Sequence, residues 1–349
     1  MSIQANYFKR QLIFKQPAGT SRGLMHTKDS WFIVLKQNKK IGIGECGYLK
    51  GLSIDNENQI ESKLQWLCDN INQKKHLLFE NIQTFPALIF CLEQAFLSLE
   101  SENIFDLFPS LFTQNEAPII INGLVWMGDY GFMKKQISEK IKQNFSCIKL
   151  KIGAIDFEKE LNLLKHIRQD FSEKDIEIRV DANGAFTAKN ALEKIKILSD
   201  FQIHSIEQPI QPKQFEQMAK LCLESPIDIA LDEELIGVMD FVEKENLLKT
   251  IKPPYIILKP SLLGGFKHTN EWIELAQNFN IQWWVTSALE SNIGLNAIAQ
   301  YTFTKENPLP QGLGTGGLYE NNFECPLVVK NGVLVYDSQL NWFQNVFEF

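Results

Sequence analysis

In SCIKLKIG (146–153) a short apolar run ends on a charged residue, and IEIRVDANG (176–184), HSIEQPI (204–210), DIALDEEL (228–235) and YIILKPS (255–261) repeat that pattern. Two similar apolar runs flank the series, PIIING at 118–123 and QWWVTSALES at 282–291. Helical patterns separate the runs, at 156–170, 187–199, 213–222, 237–249 and 266–278. Short apolar strands that alternate with helices in this way are typical of a parallel barrel.

The charged residues that end these runs are evenly spaced. Lys151, Asp181, Glu207, Asp232 and Lys259 follow one another at intervals of 30, 26, 25 and 27 residues. One strand and helix of a barrel together take about 30 residues. Five successive strands therefore each deliver one ionisable side chain to the same rim. We expect that rim to be the C-terminal face of the barrel, where barrel enzymes place their active sites.

The first hundred residues have a different pattern. Strands are predicted at 11–16, 30–36 and 40–48, and helices at Glu57–Asn70 and Phe85–Ser101. Strands first and helices afterwards indicate an α+β module. The predicted fold class is therefore α/β, a (β/α) barrel with an N-terminal α+β domain. We place that domain at 1–110, completed by about 325–349, and the barrel at 111–324.

Composition excludes several classes of protein. The chain has 349 residues, 44% of them hydrophobic and 22% charged, and a formal net charge of −7, which gives no electrostatic footprint for nucleic acid. The sequence contains no run of about 18 apolar residues, so it predicts no membrane span. Its first residues contain no apolar stretch of signal-peptide length. The six cysteines form no C-x-x-C pair, which indicates reduced thiols. A cytoplasmic enzyme is expected.

Three acidic residues in the series indicate a metal site. At a separation of 4 Å, two carboxylates repel each other by about 4 kcal/mol at an effective dielectric constant near 20. Asp181, Glu207 and Asp232 can therefore cluster only around a cation. Oxygen ligands alone select a hard divalent ion, so Mg²⁺ is expected, with Mn²⁺ as the alternative.

Lysines stand on both sides of the three acids. Lys149 and Lys151 lie two residues apart on a strand and so share one face, while Lys259 ends a later strand. A desolvated lysine near a cation can act as a general base, and a protonated lysine can stabilise developing negative charge. A metal with such bases suits the removal of a proton next to a carboxylate, so the expected partner is a small anionic carboxylate substrate.

Five motifs resemble those of the enolase superfamily. They are the K-x-K of Lys149–Lys151, the D-x-N of Asp181–Asn183, the E-Q-P at Glu207, the D-E of Asp232-Glu233 and the lysine of LKPS, Lys259. Within the superfamily they resemble the muconate-lactonising branch. That branch includes o-succinylbenzoate synthases, muconate cycloisomerases and racemases of dipeptides or N-acylamino acids. The resemblance covers nearly the whole chain and implies that the α+β domain caps the barrel.

Several sequence segments are most similar to the o-succinylbenzoate synthases of that branch, among them KLKIGAIDFEKEL, RVDANGAF, IALDEELIG and GLGTGGLYENNF. The resemblance implies dehydration of a succinyl-hydroxy-cyclohexadiene carboxylate to o-succinylbenzoate in menaquinone biosynthesis, through a metal-stabilised enediolate. By the same resemblance Lys151 takes the proton and returns it to the departing hydroxyl, and Lys259 stays cationic on the opposite face. Magnesium is then held by Asp181, Glu207 and Asp232.

Further residues are candidates for contact with the metal ligands or the substrate: Asn183, Glu233, Arg179, Ser287, Glu290 and Gly312. Arg179 is expected to pair with an acid, and Glu290 to hold Lys259 or a metal ligand. Gly312 belongs to a second G-x-G-x-x-G match, which opens no helix and so does not predict dinucleotide binding. Backbone N–H groups of this stretch are candidate donors to an anionic substrate tail at the rim. Arg22, in a loop of the capping domain, is a candidate partner for a substrate carboxylate.

Two other functions use features of the same sequence. Racemisation of an N-acylamino acid or epimerisation of a dipeptide needs Lys151 and Lys259 on opposite faces of the metal, so the catalytic set alone does not decide between these reactions. Muconate cycloisomerisation is a less similar third option. A binding barrel without catalysis is disfavoured, because three lysines would weaken a purely structural cation site. An oligomer is left open.

Overall fold

The N-terminal part is an antiparallel sheet covered by helices. The computed structural model describes residues 2–20 and 23–343; the candidate Arg22 therefore lies outside the described residues. Strands β1 (Gln4–Thr20), β2 (Gly23–Gln37) and β3 (Lys40–Cys46) form the sheet in that order. Helices α1 (Glu57–Asn70), α2 (Lys75–Asn81) and α3 (Pro86–Glu100) follow. The three predicted strands are found; β1 and β2 are longer than predicted, β3 ends two residues earlier, and α2 was not predicted.

Helix α3 lies directly against the hairpin of β2 and β3. A Cβ at Gly44 would lie 1.9 Å from the carbonyl oxygen of Cys91 on α3, so only glycine fits there. This close approach lets α3 pack directly on the backbone of β3. The apolar face of α3 joins residues of β2 and β3 in one buried cluster.

Seven parallel strands follow and curl into a barrel. Their order in the sheet is their order in the chain: β5 (Gly123–Val125), β6 (Cys147–Lys151), β7 (Glu177–Asp181), β8 (Ser205–Glu207), β9 (Asp228–Leu231), β10 (Tyr255–Leu258) and β11 (Gln282–Val285). The segment Gln311–Gly312 closes the barrel, because Gln311 pairs with Ile121 and Gly312 pairs with Thr286, each in parallel. The predicted α/β barrel with an N-terminal cap is confirmed.

Helices cover the outside of the barrel: α4 (Tyr130–Lys142), α5 (Phe157–Asp170), α6 (Ala191–Ser199), α7 (Phe215–Glu224), α8 (Phe241–Ile251), α9 (Pro260–Leu263), α10 (Gly265–Asn278) and α11 (Asn292–Phe303). Together with the outward faces of the strands they form the largest buried apolar cluster. No helix in the described ranges is long and apolar enough to span a bilayer.

The chain ends beside the barrel and the cap. Strands β12 (Leu327–Lys330) and β13 (Val333–Tyr336) form a small antiparallel sheet with β4 (Ile119–Ile120). Beyond them, the Trp342 ring stacks on Phe105 with 3.9 Å between ring centroids. Residues 344–349 of the predicted completing segment lie outside the described residues, and the domain boundaries stay a prediction.

Candidate active site

The charged ends of five strands lie at one rim of the barrel. Lys151, Asp181 and Glu207 are the last residues of β6, β7 and β8, while Asp232 and Lys259 directly follow β9 and β10. Because these strands are parallel neighbours, their C-terminal ends lie side by side. The three acids are at most 2% exposed, although each bears a charged group. The structure therefore brings together the residues that the spacing predicted to meet.

Each of the three acids contacts a lysine. Lys149 Nζ lies 3.0 Å from Asp181 Oδ2 and forms a second, short ion pair with Glu207. Lys151 Nζ lies 2.9 Å from the same oxygen of Asp181, and Lys259 forms a short ion pair with Asp232. Lys151 and Lys259 thus stand at opposite ends of the row of acids, with Lys149 beneath its middle.

Burial and charge act against each other on the lysines. Burial by itself would lower the pKa of Lys149, but the charges of Asp181, Glu207 and Asp232 together raise it above its ordinary value. The pKa of Lys259 is raised in the same way, since Asp232, Glu207 and Glu233 outweigh its burial. Both lysines are therefore cations in this charge environment.

The pKa values of the buried acids shift in different directions. Burial raises the pKa of Glu207 well above its ordinary value, and the nearby charge of Asp181 raises it further. Asp181 is equally buried, but Lys149 and Lys151 outweigh burial and lower its pKa. Burial, and next the charge of Asp232, raise the pKa of Glu233. The lysines therefore compensate the burial of Glu207 less completely than the burial of Asp181.

The acids fit a hard cation through their chemistry. Glu207 Oε1 is a buried carboxylate oxygen with no hydrogen-bond partner among the described residues, and such an oxygen is costly unless something binds it. Three carboxylates from adjacent strands supply the oxygen donors that Mg²⁺ prefers. Within residues 2–20 and 23–343 no group of three acidic, histidine or cysteine side chains is already arranged to hold a metal ion.

Asn183 and Glu233 support the rim. Asn183 accepts a hydrogen bond from Lys151 Nζ at 2.7 Å and donates from Nδ2 to Glu233 Oε1 at 3.0 Å. Asn183 adopts a φ of 43°, which turns the chain just after the strand end. These contacts agree with the predicted position of both residues beside the lysines and acids.

Arg179 lies deeper in the barrel than the rim. It pairs with Glu177 at 2.6 Å, as predicted for an acid partner, and donates to the carbonyl of Pro310 at 2.8 Å. Its guanidinium carbon lies 4.0 Å from the ring centroid of Trp284. Trp284 therefore does more than fill the barrel, because it also stacks on a buried cation.

Two predicted contacts are corrected by the structure. Glu290 binds Ser261 Oγ and accepts from the backbone N–H of Ala288 at 2.8 Å, and it does not hold Lys259. The N–H of Gly312 donates to the carbonyl of Val285 at 2.8 Å, so it is used in closing the barrel and is no donor for a substrate. The Glu290 carboxylate and the Gly312 N–H thus form hydrogen bonds with hydroxyl or backbone groups inside the fold. The motifs alone did not predict these partners.

A cavity of about 310 Å³ opens above the rim. Lys149, Lys151 and Lys259 line its floor, and the candidates Ser287 and Gly312 line its wall. Its remaining wall is mainly apolar and comes from both domains; the lining residues of this type include Leu49, Leu52, Trp126, Leu289 and Leu318. Sequence reasoning missed these residues, because no local motif marks an apolar side chain as part of a binding site.

Comparisons with known proteins agree with this geometry. Residues 133–339 match the family model described as Enolase C-terminal domain-like. The chain therefore belongs to the enolase superfamily, as predicted.

The similarity extends to particular members. The chain is 46% identical to an o-succinylbenzoate synthase of Desulfotalea psychrophila, over 95% of this chain and 98% of that one. A crystal structure of MenC from the same organism superposes with a TM-score of 0.85 at 43% identity, covering 96% of this chain and all 100% of that chain. The predicted similarity to o-succinylbenzoate synthases is confirmed.

A more distant neighbour shares the fold. A dipeptide epimerase from Enterococcus faecalis, in complex with Mg and the dipeptide L-Leu-L-Tyr, has a TM-score of 0.82 at 21% identity, covering 96% of this chain and 97% of that one. At that identity the likeness concerns the fold alone.

Proposed function

We propose that this chain is an o-succinylbenzoate synthase, which dehydrates 2-succinyl-6-hydroxy-2,4-cyclohexadiene-1-carboxylate to o-succinylbenzoate in menaquinone biosynthesis. The observation that carries the proposal is a row of three buried carboxylates at a barrel rim with a lysine at each end, Lys151 and Lys259. Similarity along almost the full length of an o-succinylbenzoate synthase supports it.

Lys151 is the proposed base and acid. Its neutral amine takes the proton from ring carbon C1, next to the substrate carboxylate. The electron pair left at C1 moves into the ring, and the C6–O bond breaks. The departing hydroxyl takes the same proton back from Lys151 and leaves as water, so one H₂O is lost and the ring becomes aromatic. A single group can do both because the proton and the hydroxyl leave from the same face.

Lys259 and Lys149 have proposed electrostatic functions. Lys259, at the other end of the row, keeps its proton and stabilises the negative charge that develops on the substrate. The neighbouring acids raise the pKa of Lys259, which favours that protonated form. Lys149, in the cavity floor and 7% exposed, holds Asp181 and Glu207 in place.

Asp181, Glu207 and Asp232 are the proposed ligands of Mg²⁺, with Mn²⁺ as the alternative. When bound, the cation would withdraw electron density from the substrate carboxylate and so make the neighbouring C–H more acidic. Asn183 and Glu233 would position Lys151 and the acids. The unpartnered buried oxygen of Glu207 supports this assignment.

The alternative reaction on the same scaffold is racemisation of an N-acylamino acid or epimerisation of a dipeptide. Either reaction would use Lys151 and Lys259, which line the same cavity, as alternating bases. Both substrate classes are therefore the alternatives to test.

Two further proposals concern the setting of the enzyme. A cytoplasmic location is supported by six cysteines that form no disulfide, as expected in a reducing compartment. The proposed capping domain, 1–110 with about 325–349, is supported by a separate apolar cluster formed by β2, β3 and the first helices.

Turnover of the cyclohexadiene substrate tests the proposal. The purified protein with Mg²⁺ should convert it to o-succinylbenzoate, followed by absorbance, and chelation should stop the reaction. Lys151→Ala should lower kcat by about 10³-fold or more, because general acid–base catalysis contributes on that scale. Lys249→Ala, which removes an exposed lysine on α8, is the matched control and should retain activity.

No turnover by folded, metal-loaded protein would contradict the synthase proposal. In that case N-succinyl amino acids and dipeptides would be scored by solvent deuterium exchange at the α carbon. Exchange that needs both Lys151 and Lys259 would indicate the racemase alternative.

A further inference from the structure

A buried carboxylate of the capping domain binds the start of a barrel helix. Glu45 lies on β3 and is 0% exposed. Its Oε1 accepts from Ser30 Oγ at 2.9 Å and from the backbone N–H of Ser291 at 2.8 Å. Its Oε2 accepts from Ser291 Oγ at 2.6 Å and from the N–H of Gly294 at 2.8 Å. Three of these four hydrogen bonds come from the first turn of α11.

The carboxylate is suited to this position. The first N–H groups of a helix have no partner inside it and carry partial positive charge, so a buried anion there is stabilised. Gly294 allows the close approach, since a Cβ at that residue would lie 2.8 Å from Glu45 Oε2. Gln94 of α3 adds a parallel contact, because it accepts from the N–H of Glu45 at 2.9 Å and donates to the carbonyl of Ile293 at 3.0 Å.

The segment just before this helix is a wall of the active-site cavity. Ser287, Ala288 and Leu289 line the cavity. Leu289 adopts a φ of 63°, a left-handed conformation that a leucine holds only when its surroundings impose it. The constraint on one side is Tyr319, whose Oη donates to the carbonyl of Leu289 at 2.7 Å. On the other side the chain runs directly into Ser291 and Glu45.

We propose that Glu45 is a positioning residue for substrate recognition: by holding the start of α11 it fixes the cavity wall Ser287–Leu289 in its left-handed turn and links that wall to the capping domain. The cap also supplies Leu49 and Leu52 to the same cavity. Glu45 therefore keeps the apolar surface contributed by the cap and the surface contributed by the barrel in register. It touches no substrate itself and acts through Ser291. The inference rests on the proposed function for its kinetic readout.

A second carboxylate of the cap provides a matched control. Glu93 on α3 also binds the start of a barrel helix, accepting from the N–H groups of Phe266 and Lys267 on α10. It borders a different cavity, with His76, Met239 and His268. Glu93→Gln therefore breaks the same kind of contact between cap and barrel without touching the wall of the active site.

Kinetics of two variants test the positioning function. In Glu45→Gln an amide NH₂ faces groups that are themselves donors. Ser291→Ala places no new group there, but it removes the hydroxyl that donates to Glu45 and accepts from the N–H of Ile293. Both variants should raise KM for the cyclohexadiene substrate and change kcat much less. For Glu45→Gln the increase in KM should be about tenfold, because a misplaced buried hydrogen bond costs free energy on that scale. Glu93→Gln should lower the melting temperature but leave KM unchanged.

Hydrogen exchange gives a readout that needs no substrate. Amides at 288–294 should exchange faster in Glu45→Gln than in the unchanged protein, and at an unchanged rate in Glu93→Gln. An equal KM in all of these proteins, or unchanged exchange at 288–294 in folded Glu45→Gln, would overturn the proposal. If the unchanged protein does not turn the substrate over, the proposed function fails, and the exchange experiment alone decides whether Glu45 holds the cavity wall.

Discussion

Glu207 is the residue whose chemistry most needs a cation. It is 2% exposed, one of its oxygens has no partner among the described residues, and burial together with Asp181 raises its pKa. A bound divalent ion would remove both penalties. The site as a whole would therefore gain stability from the proposed metal, beyond any effect on catalysis.

Magnesium should therefore stabilise the folded protein through Glu207. At a concentration 100 times its Kd, a ligand adds about 2.7 kcal/mol to the free energy of unfolding. We expect calorimetry to show a higher melting temperature with Mg²⁺ than with a chelator, and Glu207→Gln to lose most of that difference. Glu160→Gln, an equally buried acid that binds backbone N–H groups near Gly153, should keep it. A full magnesium shift in Glu207→Gln would remove Glu207 from the ligand set.

The two lysines of β6 show what the sequence could and could not predict about single residues. Alternation along β6 correctly put Lys149 and Lys151 on one face, because side-chain direction in a strand has a fixed period. It could not distinguish them, although Lys149 is buried between two acids and Lys151 contacts Asn183 nearer the cavity. Their difference depends on residues from β7 and β8, far away in sequence.

At the scale of the elements, the first turn of helix α3 binds a buried acid, Asp55, that precedes helix α1 in the chain. Asp55 Oδ1 accepts from the N–H of Ala87 at 3.0 Å. Burial raises the pKa of Asp55 to about 7, although hydrogen bonds from Ala87 and other backbone groups favour the ionised form. A folded-state pKa above the unfolded one means that the folded protein binds the proton more tightly. This contribution to stability is present at acid pH and is lost as pH rises towards 7.

The pH dependence of Asp55→Asn tests this sign. Between pH 5 and pH 8 the free energy of unfolding of the unchanged protein should fall relative to the variant by about 2 kcal/mol, since each pKa unit corresponds to about 1.4 kcal/mol. Urea unfolding at both pH values measures it. Asp69→Asn, an exposed change on α1, should show no such difference. A constant difference between Asp55→Asn and the unchanged protein would show that the folded pKa of Asp55 is ordinary.

Predicted elements matched best where an apolar pattern was long. The helix at Glu57–Asn70 and the five predicted barrel helices were found to within a few residues, because their amphipathic faces repeat over several turns. The barrel helices α4 and α11 were not predicted. The short α2 and α9 were missed, since one or two turns give too few repeats to recognise. Strand β1 was predicted six residues long but spans Gln4–Thr20, because its pairing with β2 extends well beyond its apolar part.

At the scale of the whole molecule, closure of the barrel depends on a close contact between Gly312 and Thr286. A Cβ at Gly312 would lie 1.6 Å from Thr286 Oγ1 and 3.2 Å from the Cα of Thr286. Gly312 also pairs with the end of β11, while its neighbour Gln311 pairs with Ile121 at the beginning of the barrel. A side chain here would push apart the first and last parts of the barrel wall.

Gly312→Ala should therefore destabilise the fold by about 2 kcal/mol or more, as overpacking of a buried contact does. Gly317→Ala is the matched control, because a Cβ there would meet nothing within 4 Å. Urea unfolding of the two variants should differ clearly. Equal stability would mean that the segment 311–312 does not close the barrel tightly.

The sequence by itself determined the barrel, the row of acids and lysines and the class of enzyme. These follow from local rules, because a strand end fixes where a side chain points and a regular interval fixes which ends lie side by side. The tertiary structure alone decided the apolar cavity wall, the partners of Glu290 and Gly312, and the contact of Glu45 with α11. Apart from the contact of Glu290 with Ala288, those features join residues more than twenty positions apart or add atoms to a cavity from two domains. No short-range pattern records such contacts.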